Sequence, residues 1–213
     1  MSKYLEQLFS DKLIVGKVQQ KMPYMFQLVE LENSRAGKLG MEIGSARERI
    51  IIALLIYKFG EENINPHIPI TKTETDVELF GDPISIKTIS GDLSGVKLIW
   101  TVDTSKALEF SKAYSPSADM LLTQINWGGK GKFYYIPKDS QVRVLKKMGR
   151  NNYIKLPKIG TNPRGVEISK DALEILTKDS KVMCIEIEWK RGEVNHGVYD
   201  RWIELWRENT HVE

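Results

Sequence analysis

The run Ile50-Ile-Ile-Ala-Leu-Leu-Ile56 constrains the fold of this chain more than any other segment. It lies in a pattern that opens at Ser45 and stops at Gly60, a residue well suited to ending a helix. After its first turn such a helix is apolar on nearly every side, so it belongs at the centre of a core. The run falls well short of the roughly 18 residues of a membrane span, and no membrane partner is expected. Met1-Ser-Lys-Tyr-Leu-Glu6 carries no long apolar stretch after its charge, and one cysteine, Cys184, excludes an intramolecular disulfide. Both observations favour the cytoplasm, with Cys184 expected as a small buried residue in the strand-like run 182–189.

The 213 residues hold no repeat and no low-complexity linker, so a single domain over 1–213 is the economical reading. Its parts are N-terminal helices (1–60), a hairpin (74–90), and the remaining sheet and helices (91–213). Within the first part the pattern predicts an amphipathic helix over residues 3–13 and a short one from Pro23 to residue 31. A glycine-punctuated basic loop follows over 33–44. Strands are expected at 96–102, 120–127, 132–136 and 181–189, and helices at 104–114, 169–178 and 199–208, the last with Trp202 and Trp206 at i, i+4. This mixture predicts an α/β (α+β) domain with a mixed central β-sheet flanked by helices, not a doubly wound nucleotide fold.

Several signals fail on inspection. Gly128-Gly-Lys-Gly-Lys132 has the composition of a phosphate loop but not its frame, so no nucleotide cofactor is expected. His67, His196 and His211 lack the spacing of a zinc-ligand pair. A net charge of +3 permits a polyanionic partner without demanding one.

One residue resists a purely structural account. Thr75 to Thr88, TDVELFGDPISIKT, reads as two strands around a Gly-Asp-Pro turn, yet Lys87 stands inside the apolar second strand. Lysine is seldom fully buried unless paired. Alternation puts Ser85, Lys87 and Ile89 on one face and Ile84, Ile86 and Thr88 on the other. A two-residue Gly81-Asp82 loop, or a four-residue one, would bring Asp76, Glu78 and Phe80 to the lysine's face; a three-residue loop would put them behind it. A partly exposed hairpin with ordinary charges is the competing reading.

An Asp at a strand start, a hairpin, then acid-x-Lys on the next strand is the signature of the PD-(D/E)XK nucleases, and Asp76 with Ser85-Ile86-Lys87 resembles it. Two positions depart from it: Thr75 stands in place of the proline and Ser85 in place of the second acid. In some members a preceding helix supplies the missing acid, and Glu48 in Ser45-Ala-Arg-Glu48 is the candidate. Glu48 is equally explained as the acid of a Ser-x-x-Glu capping box. Glu74 and Glu78 are the acids in reserve.

Across most of its length the chain is also similar to the ThaI family of type II restriction endonucleases. That resemblance implies a restriction–modification homodimer cutting double-stranded DNA at palindromic CGCG to blunt ends. It further implies Mg²⁺ held by Glu48, Asp76 and the Ile86 backbone carbonyl. Lys87 would orient or help deprotonate the attacking water, with the Ser85 hydroxyl holding a water. Candidate DNA contacts are Arg35, Lys38, Met41, Arg47, Lys130, Lys132, Arg150 and Arg164, with Met41 either a wedge between base steps or a core residue. A structure-specific nuclease of the same fold, or a DNA-binding protein that does not cut, are the alternatives.

Overall fold

The computed structural model describes residues 2–35, 38–39, 42–69, 71–101, 103–157, 165–194, 197 and 199–207; for 35, 38, 39, 201, 202 and 205 only the backbone is described. Three helices lead: α1 (Lys3–Ser10), α2 (Lys12–Glu32) and α3 (Ile43–Phe59). Between α2 and α3, β1 (Ser34–Arg35) and β2 (Lys38–Leu39) form a small antiparallel pair. The chain then runs through β3 (Ile64–Asn65), β4 (Val77–Leu79), β5 (Asp82–Ser90), β6 (Val96–Ile99) and α4 (Thr104–Ala113). Next come β7 (Asp119–Ile125), β8 (Gly129–Ile136), α5 (Lys138–Met148), α6 (Arg150–Tyr153) and β9 (Ile154–Lys155). Last are β10 (Val166–Ile168), α7 (Lys170–Leu176), β11 (Met183–Trp189) and α8 (Asp200–Arg207).

The main sheet has the order β11-β8-β7-β5-β4-β3. Its β5–β7 pair is parallel and its other pairs are antiparallel, so the sheet is mixed as expected. Strand alternation divides the interior in two. Ile84, Ile86, Leu121, Ile125, Phe133, Tyr135, Ile185, Ile187 and Trp189 face α1, α2 and α3. Ile89, Met120, Leu122, Tyr134 and Ile136 face the other way, toward a layer of α4 to α7 and a separate small sheet, β6-β10-β9.

The N-terminal helices differ from the sequence reading. The chain breaks at Asp11, whose carboxylate accepts from the N–H groups of Leu13 and Ile14 and so caps α2. The helix then continues through Pro23, at the loss of one intrahelical bond. Burial of Met22, Pro23 and Phe26 on the sheet outweighs that loss. Cys184 is exposed rather than buried, because β11 is an edge strand on which Cys184, Glu186 and Glu188 alternate outward. The strand expected at 96–102 belongs to the small sheet, and α5, β9 and β10 went unread in the sequence.

Candidate active site

The β4–β5 hairpin is set by its turn. Pairing of Val77 with Ile84 and of Leu79 with Asp82 leaves Phe80-Gly81 as a two-residue loop, one position earlier than the sequence suggested. Both residues have positive φ, 51° and 83°, the signature of a type I′ turn, whose twist matches that of the strands. Phe80 tolerates that conformation with its ring stacked on Tyr4 at 3.9 Å. Because the loop still has two residues, parity is kept, and Asp76 stands on the face of Ser85 and Lys87.

There the lysine finds its charge. Lys87 Nζ lies 3.1 Å from Asp76 Oδ2, and both side chains are largely buried. The same oxygen accepts from the Ile86 N–H at 2.6 Å and from Ser85 Oγ at 3.3 Å. Among the described residues Oδ1 takes no hydrogen bond.

The site exists because β4 parts from β5 after a few residues. Residues 86–90 of β5 pair with β7 on one side and have no β4 partner on the other. The first turns of α3 pass beside this gap, as the contact from Arg47 to Ser90 Oγ shows. Glu48 is thereby brought to Asp76 and Lys87, and all three line one cleft of about 720 Å³. Ile86 lines it too; its side chain is buried in the core, so what it offers the cleft is main chain.

Glu48 is not a capping residue. The helix begins at Ile43 with Glu42 at the N-cap position, and no side chain caps it, which places Ser45 inside the first turn. Among the described residues no hydrogen bond reaches the Glu48 carboxylate. Partial burial, then the negative charge of Asp76, push its pKa up to about 7, and the charges of Lys87 and Arg49 offset only part of the rise. Two carboxylates that repel one another, with unsatisfied oxygens and a main-chain edge beside them, form a set of hard oxygen donors suited to a divalent cation.

Other sequence candidates land elsewhere. Arg47 is a correction: it is 5% exposed and bonded to Glu30 at 2.6 Å, so its guanidinium belongs to the interior and not to a DNA surface. Ser85 is buried and outside the cleft lining, its hydroxyl donating to Asp76 Oδ2. Lys130 pairs with Glu186 at 2.8 Å and Lys132 stands opposite Glu186 in the ladder, both at the β8–β11 edge of the sheet. Arg150 donates to the Tyr114 carbonyl and lines a different concavity with Lys112 and Lys155. The side chains of Arg35 and Lys38, and Met41 and Arg164 altogether, lie outside the described residues.

Of the acids in reserve, Glu74 is consumed by Tyr114 Oη at 2.7 Å and by the amide and hydroxyl of Ser117. Glu78 pairs with Lys72 and Asn65. The sequence reading missed Lys97, Trp100 and Glu167, which also line the cleft. Their strands, β6 and β10, come from distant segments and pair antiparallel with a register shift between Val166 and Glu167, and no local pattern announces that.

The family model for restriction endonuclease ThaI matches residues 8–208. The chain belongs to the ThaI restriction endonuclease family. A solved structure described as a restriction endonuclease in complex with substrate DNA is similar to this ThaI-family chain at 56% identity. The match has a TM-score of 0.90 and covers 95% of this chain and 98% of that one. No curated protein matches it.

Proposed function

We propose that this ThaI-family chain is a cytoplasmic type II restriction endonuclease that hydrolyses phosphodiester bonds of double-stranded DNA with Mg²⁺ as cofactor. It would act as a homodimer on the palindrome CGCG and leave blunt ends. The observation that carries the reading is the meeting of Glu48 and Asp76 beside Lys87 where β4 leaves β5. Family membership and the DNA-bound relative support the substrate; the target CGCG, the blunt ends and the dimer are carried over from the resemblance read in the sequence.

Glu48, Asp76 through Oδ1 and the Ile86 carbonyl would hold the ion. Bound there, Mg²⁺ supplies a Lewis acid for the non-bridging phosphate oxygens and makes water more acidic. Lys87 has three N–H donors, one spent on Asp76. The others are placed to orient an attacking water and to meet negative charge gathering on the phosphate. Ser85 and the Ile86 N–H hold Asp76 from behind, which keeps Oδ1 toward the cleft. Arg35, Lys38 and Met41 directly precede the helix carrying Glu48 in the chain, and we assign them duplex contacts together with Arg164.

Plasmid cleavage with and without Mg²⁺ tests the reading. Discrete metal-dependent bands are expected, whereas cuts that follow DNA shape, or binding without cleavage, would overturn it. Lys87→Ala should abolish cleavage while DNA affinity stays within about tenfold, because phosphate contacts spread over many cations carry most of the binding.

A further inference from the structure

The part of the cleft lining that β6 supplies ends in an aromatic residue that neither the fold nor the chemistry above employs. Trp100 follows the last residue of β6 and is 66% exposed, although it lines the same cleft as Glu48, Asp76 and Lys87. The ammonium of Lys97 sits 3.5 Å from its ring centroid, so one face of the indole is covered. With that face occupied, so much residual exposure leaves the other face and the ring edge open to the cleft.

The mounting is rigid. Val166 of β10 pairs with Ile99, and Gly165 has φ 110° with its backbone pressed against the Ile99–Trp100 segment. A Cβ on Gly165 would stand 2.0 Å from the Ile99 carbonyl oxygen and 3.2 Å from the Trp100 Cα, so only glycine fits. Gly95, at the start of β6, approaches the Ile168 carbonyl in the same way. A large flat apolar surface is therefore held in place, beside a lysine, with most of it left uncovered by its own chain.

We propose that Trp100 and Lys97 form a strand-gripping wall. The indole packs its open face against a deoxynucleoside, sugar or base, of the strand being cut, and the Lys97 ammonium takes the adjoining phosphate. The ligand class is a nucleic-acid strand, since the pair offers stacking and a positive charge together, the two ingredients of sequence-tolerant strand binding. Trp100 is thus a positioning residue that keeps the scissile phosphate against Glu48, Asp76 and Lys87. The inference rests on the nuclease reading for the identity of its ligand.

The test compares the full-length protein with Trp100→Ala, Trp100→Phe and Lys97→Ala. Binding of a fluorescein-labelled CGCG duplex is measured in EDTA, and single-turnover cleavage in Mg²⁺. Trp100→Ala should melt like wild type, bind about tenfold more weakly and cleave at least tenfold more slowly, with Trp100→Phe recovering most of both. Lys97→Ala should weaken binding and flatten its salt dependence. DNA should quench the tryptophan fluorescence of wild type more than that of Trp100→Phe. Wild-type binding and cleavage by Trp100→Ala, or equal quenching in wild type and Trp100→Phe, would overturn the proposal. A wild-type protein that binds with Trp100-dependent quenching yet never cuts would instead overturn the nuclease reading and leave the wall standing.

Discussion

Neighbouring positions of α3 bear on two carboxylates with opposite fates: Arg47 binds Glu30 of α2, and Glu48 is itself the second. Glu30, 3% exposed, accepts from Arg47, Trp127 and Arg191 at 2.6, 3.0 and 2.7 Å, so its charge is fully answered. Glu48, next in the chain to Arg47, has no hydrogen-bond partner among the described residues, and its nearest acid, Asp76, repels it. A buried charge met on every side is architecture. One left half-met at the rim of a cleft holds a place for something the protein does not itself supply.

The largest test of that contrast is Glu48→Gln. The amide keeps the shape, so the protein should fold and bind DNA as wild type while cleavage falls by about a thousandfold or more, on the order of 4 kcal/mol of barrier. Mg²⁺-dependent turnover within a few-fold of wild type would sink the assignment.

Glu30→Ala should do the reverse. It strands the Arg47 guanidinium in the interior and is expected to cost about 3 kcal/mol or more of stability in urea melts. Cleavage per folded molecule should persist.

A third comparison uses pH on metal-free protein. The Glu48 pKa is raised from 4.5 to about 7, so the folded state favours the protonated acid. The stability this contributes is complete below pH 4.5 and lost as pH rises through about 7. Wild type should therefore lose melting temperature across that window relative to Glu48→Gln, which has no proton to give up, and Mg²⁺ should restore it. Parallel melting curves for the two proteins would show that neither burial nor Asp76 raises the Glu48 pKa.

The smallest effect is expected at Ser45→Ala. With no cap to lose, stability should move by less than about 0.5 kcal/mol, against the roughly 1 kcal/mol that a true N-cap would cost.

What the sequence disclosed about the site was parity and chemistry. Alternation along β5 places Lys87 opposite Ile86, and a two-residue turn brings Asp76 to the lysine's side even though the turn itself lies one residue from its expected place. Glu48 was ambiguous because its spacing from Ser45 fits a capping box, and only the start of α3 at Ile43 removes that option. Arg47 was misjudged for a related reason. Successive helix residues point about 100° apart, and which of Arg47 and Glu48 faces inward depends on Glu30, 17 residues from Arg47 in the chain and itself also bound by Arg191, 161 residues further on. The mixed sheet was legible from its apolar strands. The small sheet was not, since two- and three-residue strands have no period to read.

The exposed position of Cys184 has a practical side. Lys87, Leu122, Tyr134 and Cys184 stand in register across four neighbouring strands. At about 4.8 Å per strand the thiol's backbone is roughly 14 Å from that of Lys87. Leu122 and Tyr134, both buried, separate the two like a covered wall. The protein thus comes with a single natural attachment point for a dye, near enough to the cleft to sense an arriving duplex and screened from the reaction, so that binding and cutting can be followed optically without altering the sequence.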